Sequence, residues 1–214
     1  MRPLTHWVCL ALGAAVVITV ARAQPTDDSL QIYVVRMLSG PEQNPGGAGI
    51  YIGNGLVITA AHVAGPSVRG VRIKGLNVPA KPVKVGTFPQ LDLALISMDK
   101  ETLPISLRLR RMPLCQRQAP IGASVIIAAP QAITRSRIMS PMLLPPDYQV
   151  KFPTLISDVD TGGKSGSGVF DAEKKCLLGI LSLKITNNLV HKDIATYFVP
   201  ASTIRSFVPA GTRW

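Results

Sequence analysis

Three side chains that together can carry out acyl transfer stand in separate parts of this sequence, each beside an apolar, β-prone stretch. His62 lies in Thr59-Ala60-Ala61-His62-Val63 and Asp92 in Leu91-Asp92-Leu93-Ala94-Leu95-Ile96. Ser165 lies in Thr161-Gly162-Gly163-Lys164-Ser165-Gly166-Ser167-Gly168. A serine hydroxyl is a poor nucleophile at neutral pH and needs a base to take its proton. An imidazole serves as that base when a carboxylate holds its tautomer and stabilises the imidazolium. The glycines around Ser165 permit positive φ and close approach of a substrate carbonyl. Backbone N–H groups there, those of Gly163 and Ser165, can hold the oxygen that becomes negative. Each fragment also has a plainer reading, as a flexible loop, a buried histidine or an edge aspartate. Asp92, however, is flanked by apolar residues on both sides, and a carboxylate buried there is costly unless something pairs with it.

The elements that must position these groups read as strands. Gln31 to Arg36 is β-branched and aromatic, and Ala48 to Gly53 with Leu56 to Thr59 flank Asn54-Gly55, the strongest short hairpin signal. Val68 to Lys74, Val78 to Val85, Leu91 to Ile96 and Ile121 to Ala128 have strand character. Leu103 to Gln118 is rich in arginine and reads as a crossing between two halves, and Pro130 to Pro146 as a long irregular connection. After the glycine-rich turn come a hairpin at Asp171 to Lys175, strands through Leu183 and at Ile194 to Val199, and a short closing helix at Pro200 to Phe207. Period-2 segments with frequent turns and almost no helix predict an all-β barrel or sandwich.

Composition narrows the class. The chain has 214 residues, 47% hydrophobic and 16% charged, enough to bury a core and too apolar for disorder. Arg2 and His6 precede an apolar run, Trp7 to Val20, that ends in Ala21-Arg22-Ala23. That is the pattern of a secretory signal peptide over residues 1–23, cleaved after Ala23. The run is shorter than the roughly 18 residues of a span, and no later segment qualifies. The mature protein is therefore expected to be extracytoplasmic, periplasmic or secreted, with no transmembrane segment. Cleavage lowers the formal net charge of +11 by two, which still favours an anionic surface as partner. Basic clusters fall at Arg108, Arg110, Arg111 and Arg117 and at Arg135 and Arg137, with no recognition helix or aromatic-studded face that would mark a specific nucleic-acid reader. Cys115 and Cys176 remain as a candidate disulfide pair, with no metal-binding spacing and no cofactor motif.

At these residues the chain resembles the chymotrypsin (trypsin-like) superfamily of serine proteases, in particular compact bacterial HtrA-type proteases and secreted glutamyl endopeptidases. Thr59 to Val63 is similar to the family's T-A-A-H segment, Asp92 to Leu95 to its D-[IL]-A-L segment, and Gly163 to Ser167 to G-[DN]-S-G-[GS]. Gly179 to Ser182 and Phe198 to Pro200 resemble the strand beside the substrate and the lead into the final helix. The resemblance implies two antiparallel six-stranded β-barrels with the active site in the cleft between them and a short C-terminal helix. Residues 24–110 would form the N-terminal barrel carrying His62 and Asp92, and residues 111–214 the C-terminal barrel carrying Ser165. No PDZ domain is expected. It further implies that Ser182 bonds Asp92, that the backbone of Ser182, Leu183 and Lys184 pairs with a protein or peptide substrate, and that Asp160 and Leu181 border the specificity pocket. Asp160 there would favour a basic side chain.

Two positions depart from the pattern. Lys164 stands where the family has Asp or Asn, so activation by a new N-terminal amine pairing with an acid at this position is excluded. Gly168 replaces a common proline. Lys164 and the basic charge leave open a second reading, a catalytically impaired protease-like binding protein. Gly163-Lys164-Ser165 also matches the end of a phosphate-binding loop, but Asp158 occupies the place of its first glycine.

Overall fold

In the computed structural model, residues 27–40, 44–65, 68–157, 164–187 and 192–212 are described. Twelve strands form two closed antiparallel barrels. The first holds β1 (Val34–Ser39), β2 (Asn44–Gly53), β3 (Leu56–Thr59), β4 (Val68–Ile73), β5 (Leu76–Val85) and β6 (Ala94–Met98). Around the barrel they run β1-β2-β3-β6-β5-β4, closed by β1 pairing with β4. The second holds β7 (Ser124–Ala128), β8 (Ile133–Met139), β9 (Leu155–Ser157), β10 (Gly168–Asp171), β11 (Leu177–Asn187) and β12 (Lys192–Pro200). Their order, β10-β11-β12-β9-β8-β7, repeats that of the first barrel. The described residues also hold three short α-helices, α1 (Ile105–Arg108), α2 (Pro146–Lys151) and α3 (Ala201–Phe207), and three 3-10 helices. None is long and apolar enough to cross a membrane.

Strands such as β2, β3 and β6 read as apolar runs because both of their faces are buried. Along β2 and β3, Tyr51 and Val57 face the interior of the first barrel, while Ile50, Ile52 and Ile58 belong to a separate core. That second core is the seam between the barrels, where Leu93, Leu95, Ile126, Phe170, Ile180 and Val199 meet. Burying one such aliphatic or aromatic side chain is worth about 1.5–3 kcal/mol, so the seam holds the two barrels at one relative position. The β2–β3 hairpin turns on Asn54 (φ 54°) and Gly55 (φ 73°), the left-handed pair that a two-residue turn requires.

Three local expectations change. Asp27–Tyr33 is a 3-10 helix, so the first strand starts at Val34 rather than Gln31. Its Asp27 ties the segment to the second barrel through Lys175 (2.6 Å) and Arg135 (2.5 Å), a long-range anchor that local propensity does not see. The stretch Pro130 to Pro146 is not irregular, since it contains β8, which pairs with β7 and β9. The exposed Arg135 and Arg137 alternate with buried Ser136 and Ile138, which masks the strand's apolar face. Asp92 lies before β6 rather than inside a strand, with β6 starting at Ala94. Cys115 and Cys176 are joined in a disulfide (Cα–Cα 5.1 Å) that pins the inter-barrel crossing to the start of β11.

Candidate active site

His62 follows β3 in a tight turn. The N–H groups of Val63 and Ala64 both donate to the Ala60 carbonyl (3.1 Å), and Ala60, Ala61 and Ala64 are buried. Small side chains let this turn sit against the sheet and leave the imidazole at the edge, about a third exposed. Phe88 packs edge-on against the ring at 5.6 Å. The Asp92 carboxylate, 4% exposed, gathers three donors. Oδ1 accepts the His62 backbone N–H (3.0 Å); Oδ2 lies 2.8 Å from His62 Nδ1 and accepts Ser182 Oγ–H (2.5 Å). A carboxylate buried with three donors satisfies the condition under which a buried charge is tolerated. With Nδ1–H donating to Asp92, the Nε2 lone pair of a neutral His62 is left to accept a proton.

Ser165 is held by backbone from both barrels. Its carbonyl accepts Ala48 N–H from β2 (2.9 Å), the next residue's N–H donates to Leu181 O on β11 (2.8 Å), and Leu181 N–H returns to Ser167 O (2.8 Å). This crossing is so close that only glycine fits at 166. A Cβ there would lie 1.9 Å from Ala48 O, and φ is +87°. Ser165 Oγ–H donates to the Ser182 carbonyl (2.9 Å), and no hydrogen bond joins it to His62 among the described residues. Ser182 is thus the common neighbour: its hydroxyl bonds Asp92 and its carbonyl bonds Ser165. The Ser165 backbone N–H has no hydrogen bond among the described residues. Lys164 is exposed, and its carbonyl closes the turn by accepting Ser167 N–H (2.9 Å).

A cleft of about 610 Å³ opens beside this group, walled by Phe88, Leu91, Val150, Phe152, Leu183 and Tyr197, with Asp92 and Ser182 also at its surface. Burial, and secondarily the Asp92 charge, raises the Tyr197 phenol above its usual pKa. Of the residues expected to meet substrate, Ser182 and Leu183 border this cleft. The Leu181 side chain packs instead inside the second barrel with Val169 and Phe198, because alternation along β11 turns it away from Ser182. Lys184 Nζ pairs with Asp193 Oδ2 across the β11–β12 hairpin (2.8 Å), which holds the Asp193 carboxyl below its usual pKa. Gly163 and Asp160 lie outside the described residues. The aromatic wall of Phe88, Phe152 and Tyr197 escaped sequence reasoning, because those residues converge from three distant segments.

The model of the trypsin-like peptidase domain matches residues 47–180, a span that includes His62, Asp92 and Ser165. Among solved structures the chain is similar to the active form of the Rv3671c protease from M. tuberculosis, at 20% identity and TM-score 0.59, covering 94% of this chain and 92% of that one. It is similar to kallikrein-related peptidase 10 at 19% identity and TM-score 0.62, covering 82% and 93%. It also resembles the serine endoprotease from Yersinia pestis at 17% identity and TM-score 0.61, covering 86% of this chain and 66% of that one. At such identities the likeness is one of fold. No curated protein sequence matches significantly. The family match extends from β2 into β11 and covers more than half of the chain, which therefore belongs to the trypsin-like peptidases and is a serine endopeptidase.

Proposed function

We propose that this peptidase cleaves peptide bonds through an acyl-enzyme formed on Ser165, with His62 as base and Asp92 as its partner. The observation that carries this reading is the bonding around Ser182, which joins the Asp92 carboxylate, already on His62, to the Ser165 hydroxyl. The Ser165 bond to the Ser182 carbonyl is a resting rotamer. Exchanging one neutral hydrogen bond for another costs little, since each is worth a net 0.5–1.5 kcal/mol or so. Substrate backbone pairing along Ser182 to Lys184 would place the scissile carbonyl over Ser165. As Oγ attacks the carbonyl carbon, its proton passes to His62 Nε2, and the carbonyl oxygen becomes an oxyanion held by the N–H groups of Ser165 and Gly163. Collapse breaks the C–N bond, and His62 gives its proton to the departing amine. Water, deprotonated by His62, then adds to the acyl carbon; the bond from that carbon to Ser165 Oγ breaks, His62 returns the proton to Oγ, and the acid leaves.

The Ser165 N–H, which has no hydrogen bond among the described residues, supports the oxyanion role, and the exposed Lys164 side chain leaves the Ser167 N–H bond to the Lys164 carbonyl in place. The reading as a non-hydrolytic binder is not favoured. An active-site fluorophosphonate should label the protein at Ser165, and the Ser165→Ala variant should not label. Labelling that persists in Ser165→Ala would overturn the assignment.

We also propose that the protein acts outside the cytoplasm, where a disulfide such as Cys115–Cys176 persists. Residues 1–23 lie outside the described residues, so the test is direct. The exported protein should begin at Gln24, and an intact Met1 to Ala23 segment on it would refute the proposal.

A further inference from the structure

The basic clusters that stand out in the sequence are largely occupied by the protein itself. Arg108 pairs with Glu101, and Arg111 donates to Asn54 Oδ1 and to the Arg108 and Arg110 carbonyls. Arg135 pairs with Asp27, and Arg137 donates to the Gly122 carbonyl. Cations without carboxylate partners are concentrated elsewhere, on the outer face of β1, β4 and β5. Between Gln43 and Leu91 the sequence holds five cations, Arg69, Arg72, Lys74, Lys81 and Lys84, and no carboxylate. Of these, Lys84 is drawn towards the second half of the chain, through the Phe207 carbonyl and ring.

Arg36 on β1 stands directly opposite Arg72 on β4. Like charges in that position are destabilising unless an anion offsets them. Lys74 adds a third charge from the turn that follows, with φ of 47° and Gly75 at 80°. These three side chains line a recess of about 390 Å³ whose rim is completed by Gln31, Gly75 and Pro130. None of the three is in an ion pair among the described residues, and Arg72 Nε–H is held by Asn77 Oδ1 (2.7 Å), which orients its guanidinium. Arg69 and Lys81 border a second recess of about 360 Å³ on the same β4–β5 hairpin, where Asp99 is also present but accepts the Glu101 N–H. Arg69 and Arg72 are three residues apart, roughly 10 Å along a strand.

We propose that this face binds a linear anionic polysaccharide, with one sulfate or carboxylate seated among Arg36, Arg72 and Lys74 and a neighbouring one reaching Arg69 and Lys81. Two cationic recesses on one β4–β5 hairpin suit a chain that carries an anion on successive sugars better than a single small ion. No aromatic side chain lines either recess, so the stacking on which single-stranded nucleic acid relies is missing. A recess admits a protruding substituent, whereas a flat bilayer meets convex cations first. The site shares no residue with the cleft beside Asp92, and the inference does not depend on the peptidase mechanism.

The test is calorimetric titration of the mature protein with a heparin dodecasaccharide in 0.15 M NaCl. Inorganic sulfate, phosphatidylglycerol vesicles and a dodecathymidylate run alongside. Replacing Arg36, Arg72 and Lys74 together by Gln should weaken dodecasaccharide binding by about tenfold or more and flatten its salt dependence. Replacing the exposed Arg110, Arg117 and Lys174 by Gln removes the same charge and should leave affinity within about twofold. The double variant Arg72→Gln with Lys74→Gln spares half-buried Arg36 and should still lose about fivefold, which covers any folding defect of the triple. The proposal fails if the parent does not bind the dodecasaccharide, or if the charge-matched control loses as much as the triple. It also fails if sulfate, vesicles or oligonucleotide bind at least as tightly through the same residues.

Discussion

Replacing Ser182 by Ala separates the two bonds that this residue makes. The Ser182 carbonyl, which holds Ser165 Oγ at 2.9 Å, is backbone and stays. The hydroxyl, one of three donors on Asp92, is lost. Asp92 is 4% exposed and Ser182 is 2% exposed, so water does not readily replace the missing donor. Leaving part of a buried carboxylate unsatisfied costs about 1–3 kcal/mol. In a chain of this size that lowers Tm by roughly 2–4 °C for each kcal/mol. The Asp92–His62 pair keeps both of its own hydrogen bonds but loses the third point that orients the carboxylate. With tenfold in rate per about 1.4 kcal/mol, kcat should fall by about 10- to 100-fold. KM should stay within about threefold, because the Ser182 to Lys184 backbone proposed to pair with substrate is unchanged. The assay is steady-state hydrolysis of a peptide substrate, with a thermal melt of the same preparation. A variant with kcat within twofold of the parent and an unchanged melt would show that Asp92 does not need its third donor, and the reasoning would fail. A raised KM at constant kcat would assign the hydroxyl to substrate instead.

If Asp92 has the proposed role, Asp92→Asn should lower kcat by on the order of 10⁴, the loss measured in a protease with a Ser-His-Asp triad, while fluorophosphonate labelling becomes correspondingly slow. Gly166→Ala places a methyl 1.9 Å from Ala48 O at φ +87°. It should destabilise by more than about 1 kcal/mol and abolish labelling, read by urea melt and probe gel. Asp27 is held below its ordinary pKa of 3.8, first by its hydrogen bond to Lys175 and then by Arg135. A depressed folded-state pKa contributes stability above the unfolded value and loses it as pH falls through the folded one. Asp27→Asn should therefore cost about 1 kcal/mol at pH 7, a gap that narrows as melts are run at pH values falling below 3.8. Joint Cys115→Ser and Cys176→Ser opens a loop spanning 61 residues, and chain entropy sets the loss at about 4 kcal/mol at most, visible as a lower urea midpoint.

Much of the fold was legible because its signals are local. Asn54-Gly55 marks the β2–β3 turn through backbone conformation alone, and the apolar runs of β2, β3, β6 and β11 mark strands with two buried faces. The strand β8 was hidden because its exposed positions are arginines, and the 3-10 helix at Asp27–Tyr33 because its anchor lies on the second barrel. The site shows the same division. The motifs around His62, Asp92 and Ser165 are contiguous in sequence, whereas the cleft wall of Phe88, Phe152 and Tyr197 exists only once three segments converge.

By itself, then, the amino-acid order determined which residue types were available for acyl transfer, the period-2 pattern that makes strands, and the glycine at 166. Tertiary structure alone decided that Ser182 would join Asp92 to Ser165, that the Ala48 N–H would reach across to the Ser165 carbonyl, and that Arg36 would face Arg72. The physical reason is range. Turn chemistry and alternation act over a few neighbouring residues, but a hydrogen bond between barrels depends on how they pack at their seam, and the opposition of Arg36 and Arg72 on how the first sheet closes on itself.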